Sequence, residues 1–118
     1  MESIAQEINP PACNLAALSA EQRARHAQVV EHFFTHAVEE VEELPDGFAF
    51  RAGEAHFLEA AEFVSLERLC CPFLDFSLSS KSGCRTISLS IRGLQAVKAM
   101  LRSGFARMTR ARPTPACA

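Results

Sequence analysis

The 118-residue sequence lacks a hydrophobic run long enough to cross a membrane, and its start does not resemble a signal peptide. A membrane span needs roughly 18–20 apolar residues. A signal peptide needs basic residues followed by an apolar segment, whereas the first 13 residues contain glutamates and prolines. We therefore expect a cytoplasmic protein with no membrane partner.

The sequence also lacks a glycine-rich phosphate loop, a nucleophile elbow, a paired-carboxylate motif and an internal repeat. A net charge of −2 excludes a strongly basic nucleic-acid-binding protein, so nucleic acid is not an expected partner. The length suits one domain, and 48% hydrophobic with 22% charged residues is typical of a soluble globular fold. No catalytic residue is assigned, and a non-enzymatic role is favoured.

The small net charge hides an uneven distribution along the chain. Residues 1–67 hold thirteen acids and three bases, a charge of −10, whereas residues 68–118 hold one acid and nine bases, a charge of +8. Opposite charges of this size predict that the two parts pair within one chain, that they pair in a homodimer, or that the basic tail binds an anionic partner.

Hydrophobic spacing predicts a two-layer α+β fold of order α-β-α-β-β-α. A capping-box pattern starts the first helix, and strict alternation of apolar and serine residues predicts a hairpin. The expected elements are a helix over 19–43, a strand at 48–51, a helix over 54–71, strands at 74–79 and 86–91, and a helix over 94–103. We expect a three-stranded sheet with helices packed on one face and the first strand paired with the last. An extended segment (1–18) precedes the single domain (19–105), and a flexible basic tail (106–118) follows it.

Five cysteines are the unusual feature of the composition. In a reducing cytosol, clustered cysteines serve more often as metal ligands or reactive thiols than as disulfides, and an odd count argues against a complete disulfide framework. Cys70 and Cys71 are adjacent at the end of the second predicted helix, where Pro72 stops it. Two neighbouring thiolates suit soft or borderline ions such as Cu(I), Zn(II), Hg(II) or trivalent arsenic.

Two ligands are too few for a tight site, so further donors are needed. Cys13 is a candidate third thiolate, and a site of Cys13, Cys70 and Cys71 would suit a trigonal thiophilic ion better than zinc. His26 faces inward on the first helix, and Glu67 lies one turn before Cys70. Both are candidate neighbours of the ion, with Arg68 as a residue that stabilises the Cys71 thiolate.

Other interpretations of the cysteines remain open. Cysteine is often buried as a small hydrophobic residue, and the sequence has no Cys-x-x-Cys knuckle. One of the adjacent thiols is alternatively a redox-active nucleophile, or Cys71-Pro72 supplies a haem thiolate. His32 and His36 have the i, i+4 spacing of a metal pair but lie among glutamates, and His56 is expected at the surface. Cys84 and Cys117 receive no role.

The sequence resembles a group of short, mostly uncharacterised bacterial proteins. They carry a Cys-x-Leu element, here Ala12-Cys13-Asn14-Leu15, and a Glu-x-x-Cys-Cys-Pro-Phe element, here residues 67–73. The similarity covers about residues 12–105. It implies that Cys13, Cys70 and Cys71 belong together, and it suggests a connection with heavy-metal resistance.

The sequence therefore predicts a small cytoplasmic protein that binds a thiophilic metal or metalloid ion for sequestration, transfer or sensing. The alternatives are a thiol-redox protein and a non-catalytic, dimeric interaction module whose cysteines are structural.

Overall fold

A computed structural model describes residues 14–93 together with Ala99. Its main elements are helix α1 (Ala20–His32), strands β1 (Val38–Leu44) and β2 (Gly47–Gly53), helix α2 (Phe57–Cys70), and strands β3 (Asp75–Ser80) and β4 (Thr86–Arg92). A π-helical turn, Phe33–Ala37, follows α1, and short 3-10 turns, Leu15–Ala17 and Glu54–His56, precede the two helices. None of the helices in this part of the chain combines the length and hydrophobicity that a bilayer crossing requires.

Some predicted features lie outside the described residues. These are most of the extended segment, the basic tail, Cys13 and Cys117. Of the helix predicted over 94–103, only Ala99 is described, and it is helical.

The predicted start of the first helix is confirmed. The Ser19 hydroxyl accepts a hydrogen bond from the Gln22 backbone N–H at 3.1 Å, and the Gln22 side chain accepts one from the Ser19 N–H at 2.8 Å. This reciprocal capping box satisfies two backbone donors that a helix start otherwise leaves unpaired.

The predicted end of the first helix is wrong, and so is the three-stranded sheet. The helix stops at His32, and residues 38–44 form a fourth strand. A helix through this segment would place glutamates at its negative end and would contain β-branched valines. As a strand, the segment brings Glu40 and Glu42 to 3.2 Å and 3.1 Å from the Arg51 guanidinium. Arg51 of β2 therefore supplies a cation for these two glutamates.

The four strands are antiparallel neighbours in the order β1-β2-β4-β3. The expected pairing of the strand around Phe48–Phe50 with the last strand is confirmed, since Phe48 lies opposite Ile91 and Phe50 opposite Leu89. Strands β2 and β3 flank β4 and so run in the same direction. Helix α2 makes the crossover that this arrangement requires.

Helix α2 and the π turn that follows α1 pack on the sheet through phenylalanines. The Phe34 ring centroid lies 5.0 Å from that of Phe50 and 5.1 Å from that of Phe63. Phe63 on α2 also approaches Phe76 on β3, with 6.3 Å between centroids. Edge-to-face contacts of this kind add to the free energy gained from apolar burial. The α+β prediction is confirmed, whereas the predicted order α-β-α-β-β-α lacks strand β1.

Two glycines are required by their local geometry. A Cβ added to Gly47 would lie 1.9 Å from the Ile91 carbonyl oxygen, so β2 and β4 approach each other there too closely for any side chain. Gly83, in the β3–β4 turn, has a φ of +82°, a conformation that residues with a Cβ rarely adopt.

Candidate metal site

The two helices run antiparallel and are joined by polar contacts along their length. Arg25 and Glu62 form a two-point ion pair with distances of 2.6 Å and 2.8 Å. Toward the end of α2, the His26 Nε2 atom lies 2.6 Å from Glu67 Oε1. This second contact brings an imidazole of α1 to the cysteine end of α2.

Three potential metal ligands meet at this point. One ligand atom from each of His26, Glu67 and Cys70 lies within 4.8 Å of the other two. Glu67 and Cys70 share a helix face because they are three residues apart. The Glu67 and His26 side chains are only 13% and 15% exposed, and Cys70 is fully buried, so the cluster is largely shielded from water.

Cys71 adds a second sulfur to the cluster. Its Sγ atom lies 3.8 Å from Cys70 Sγ and 3.2 Å from Glu67 Oε2, and the residue is completely buried. The Cys71 N–H still donates to the Glu67 carbonyl at 2.7 Å, but its φ of −128° and ψ of 68° take the chain out of the helix. Pro72 then prevents the helix from continuing.

The cysteines differ in covalent state. Cys70 is a free thiol, whereas Cys71 and Cys84 are each disulfide-bonded. Cys71 precedes strand β3 and Cys84 follows it, and the six residues of that strand span about 20 Å. The two cysteines therefore lie too far apart to be bonded to each other. The expectation of a thiol therefore agrees with the structure at Cys70 and differs from it at Cys71. A ligand role for the Cys71 sulfur requires the reduced protein.

The surroundings of Cys70 oppose its ionisation. Burial raises the pKa of this thiol, and the negative charge of Glu67 raises it further. The Cys70 thiol donates to the Glu67 carbonyl oxygen at 3.6 Å. A thiol in this state is a weak nucleophile. A bound cation would lower the pKa of Cys70, because its positive charge offsets that of the Glu67 carboxylate and stabilises the thiolate.

Arg68 and Cys13 complete the set of predicted site residues. Arg68 is exposed, and its side chain makes no hydrogen bond or ion pair with any residue of 14–93. The spacing argument that linked it to Cys71 assumed helical geometry, which Cys71 does not have. Cys13 lies outside the described residues.

Asn14 is a structural contact that the sequence reasoning missed. Its backbone N–H donates to the Cys70 carbonyl at 2.7 Å, and its side chain caps the 3-10 turn by accepting from Ala16 N–H at 3.1 Å. Asparagine before a short helical turn is a recognisable capping pattern, but sequence alone does not show which element the turn will contact. The contact fastens the segment after Cys13 to the end of α2.

The fold and this cluster together define a small α+β protein with a buried cysteine–histidine–carboxylate group. No family model, curated protein or solved structure matches the chain. The expectations drawn from the two cysteine motifs therefore rest on the motifs themselves.

Proposed function

We propose that the protein binds a thiophilic metal or metalloid ion in the cytoplasm, for sequestration, transfer or sensing. The observation that carries the proposal is the convergence of His26, Glu67 and Cys70 donor atoms within 4.8 Å, at a position where Cys70 is buried and the other two are partly buried. All three belong to chemical types that bind metals in proteins.

The electrostatics of the cluster favour an incoming cation. Burial and the Glu67 carboxylate keep the Cys70 thiol protonated. A cation that binds there releases the thiol proton and gains a thiolate ligand, with the Glu67 carboxylate and the His26 imidazole beside it. Metal affinity should therefore rise with pH, since protons compete for the same atoms.

The proposed ligand set contains Cys70, Cys71 in its reduced form, and Cys13. The Asn14 N–H donates a hydrogen bond to the Cys70 carbonyl. Cys13 is the residue before Asn14, and adjacent Cα atoms are about 3.8 Å apart. Three thiolates would suit Hg(II), trivalent arsenic or Cu(I). Participation by His26 and Glu67 would instead suit Zn(II).

Native mass spectrometry of the reduced protein tests this proposal. Hg(II), As(III), Cu(I) and Zn(II) are added separately to the wild type, to the Cys13→Ser/Cys70→Ser/Cys71→Ser variant and to Cys84→Ser. We expect one ion per chain in the wild type and in the matched Cys84→Ser control, and none in the triple variant. Equal ion binding by the triple variant, with its fold verified by circular dichroism, would refute the proposal.

A redox function is the second candidate, because the free Cys70 sulfur lies 3.8 Å from the disulfide-bonded Cys71 sulfur. Attack by the Cys70 thiolate would form a Cys70–Cys71 bond and release the previous partner sulfur as a thiolate. The raised pKa of Cys70 disfavours that attack, so this candidate ranks below metal binding. It predicts that Cys70 in the oxidised protein reacts quickly with a thiol reagent.

We also propose that the uneven charge supports a homodimer. Arg92 pairs with Asp46 at 2.8 Å, so one base of the second part already meets an acid of the first within the chain. Acids beyond those paired in this way would meet bases of a second copy. Sedimentation at low and high salt tests this, because screening weakens exposed ion pairs; a monomer at both salt concentrations would refute it.

A further inference from the structure

We infer that the disulfide of Cys71 joins it to Cys13, and that this bond closes the proposed ion site until a reductant opens it. The pairing follows from the cysteines themselves, whereas the closing of the site rests on the proposed function. Cys71 and Cys84 are each disulfide-bonded, and Cys70 is a free thiol. The covalent state of the protein is thus part of its chemistry.

Elimination identifies the partners of the two bonded cysteines. The sequence has five cysteines, and the structure contains a single chain. Cys70 is free, and Cys71 and Cys84 lie too far apart to be bonded to each other. Their partners are therefore Cys13 and Cys117, one for each, both of which lie outside the described residues.

A backbone contact shows which of these partners belongs to Cys71. The Asn14 N–H donates to the Cys70 carbonyl at 2.7 Å. These two residues are the immediate neighbours of Cys13 and Cys71 in the chain. Standard backbone dimensions therefore limit the distance between the Cys13 and Cys71 Cα atoms to about 8 Å. Disulfides join Cα atoms about 4.4–6.8 Å apart, so this pair is within reach.

Cys84 is on the far side of strand β3. Cys71 accepts a hydrogen bond from the Leu74 N–H at 3.2 Å, just before the strand begins. Cys84 donates its N–H to the Lys81 carbonyl at 3.1 Å, just after the strand ends. Because the strand is about 20 Å long, Cys84 is out of reach of Cys13, and its partner is Cys117.

The bond between Cys13 and Cys71 removes two of the three thiolates proposed for the ion. The thiolate is the form of cysteine that binds metals, and a sulfur in a disulfide is not a thiolate. The oxidised protein keeps only Cys70, with His26 and Glu67 ligand atoms within 4.8 Å. Trivalent arsenic then lacks the three-thiolate set that suits it, and reduction restores that set.

Thiol–disulfide exchange opens and closes the site. One thiolate of a dithiol attacks the disulfide, forms a mixed disulfide and releases one cysteine; the second thiol then releases the other and closes a cyclic disulfide. The dithiol loses two electrons and two protons, and the protein gains two thiols. The Cys71 thiol can then donate to Glu67 Oε2, 3.2 Å from its sulfur. Glutathione disulfide drives the reverse reaction and is itself reduced to two glutathione thiols.

Trypsin digestion without reduction tests the pairing. Cleavage after lysine and arginine separates the cysteines into peptides 1–23, 69–81, 82–85 and 111–118. Free thiols are first alkylated in denaturant. We expect 1–23 to be linked to 69–81, with the alkyl group on Cys70, and 82–85 to be linked to 111–118. A link between 1–23 and 82–85, a bond within 69–81, or no link at all would overturn the pairing.

Native mass spectrometry with As(III) tests the closing of the site. The protein is oxidised with glutathione disulfide, or reduced with dithiothreitol that is then removed. We expect one As(III) per chain in the reduced protein and none in the oxidised protein. The matched control is Cys84→Ser/Cys117→Ser, which lacks only the other disulfide and should show the same difference. Circular dichroism verifies that the control is folded.

Equal As(III) binding in both states, or none in either, would overturn the closing of the site. Addition of Hg(II) to the reduced protein separates this failure from failure of the proposed function. Bound Hg(II) would show that the ion site exists without redox control, whereas a reduced protein that binds neither ion would refute the proposed function. The digest decides the pairing in either case.

Discussion

Replacing Glu67 with glutamine tests the cysteine site most directly. Glutamine keeps the size of the side chain and its hydrogen bonding but removes the charge. Glu67 contacts His26 Nε2 at 2.6 Å and Cys71 Sγ at 3.2 Å, and its charge raises the pKa of the Cys70 thiol. We therefore expect the variant to have a lower metal affinity and a lower Cys70 pKa.

The expected magnitudes follow from these contacts. Loss of a ligand or of its orienting charge lowers metal affinity by about 10–100-fold, which is about 1.4–2.7 kcal/mol. A hydrogen bond to a charged group contributes about 1.5–3 kcal/mol, and partial exposure of both side chains reduces this. We expect about 1–2 kcal/mol of lost stability in the metal-free protein, or about 4 °C in Tm per kcal/mol.

The assay measures the pH dependence of Cys70 alkylation in the reduced, metal-free protein, together with metal affinity by calorimetry. The matched control is Glu62→Gln, which removes a carboxylate and an ion pair from the same helix at a distance from the cysteines. The control should leave both readouts unchanged. An unaltered metal affinity in Glu67→Gln would exclude the carboxylate from the site. A Cys70 pKa that rises in this variant would refute the electrostatic argument.

Three further predictions concern stability and pH. Gly47→Ala should destabilise the protein by more than about 3 kcal/mol, because its Cβ would overlap a β4 carbonyl. Gly83→Ala has open space around its Cβ but a positive φ, so it should cost about 1–2 kcal/mol. Urea denaturation measures both losses, and equal losses would contradict the close approach of β2 and β4. The Arg25 ion pair lowers the pKa of Glu62, so its stabilisation is present at neutral pH and is lost as the pH falls through the folded-state pKa; Glu62→Gln should flatten the acid limb of a Tm–pH curve, and an unchanged limb would count against the pair. Burial raises the pKa of Cys70, so the unfolded thiol ionises first as the pH rises, and the stability of the reduced protein should decline above pH about 8.5 in the wild type but not in Cys70→Ala.

Local patterns in the sequence predicted much of the fold. The capping box placed the start of α1, Pro72 placed the end of α2, and alternating serines identified the β3–β4 hairpin. The error lay at residues 38–44, where apolar residues also fit helical spacing. That segment is a strand because β2 offers it backbone partners and the Arg51 charge, and sequence periodicity does not contain either contribution.

The candidate site, like the fold, was predictable from the sequence only in part. Glu67, Cys70 and Cys71 are close in sequence, so helix spacing was enough to associate them. The distance between His26 and Glu67 depends on how α1 and α2 align, a property of the packed core. The contact between His32 and Glu59 depends on the same alignment.

The position of β4 bears on how the protein is made. It is the last of the four strands in sequence, yet it lies between β2 and β3. While the ribosome is still synthesising β4, the β1–β2 hairpin and β3 have no hydrogen-bonded connection, and such non-local pairing slows folding. Cys70 and Cys71 precede β4 in the chain, so they leave the ribosome before the sheet beneath them is closed. Under the proposed function, both sulfurs are open to an ion before the fold is complete.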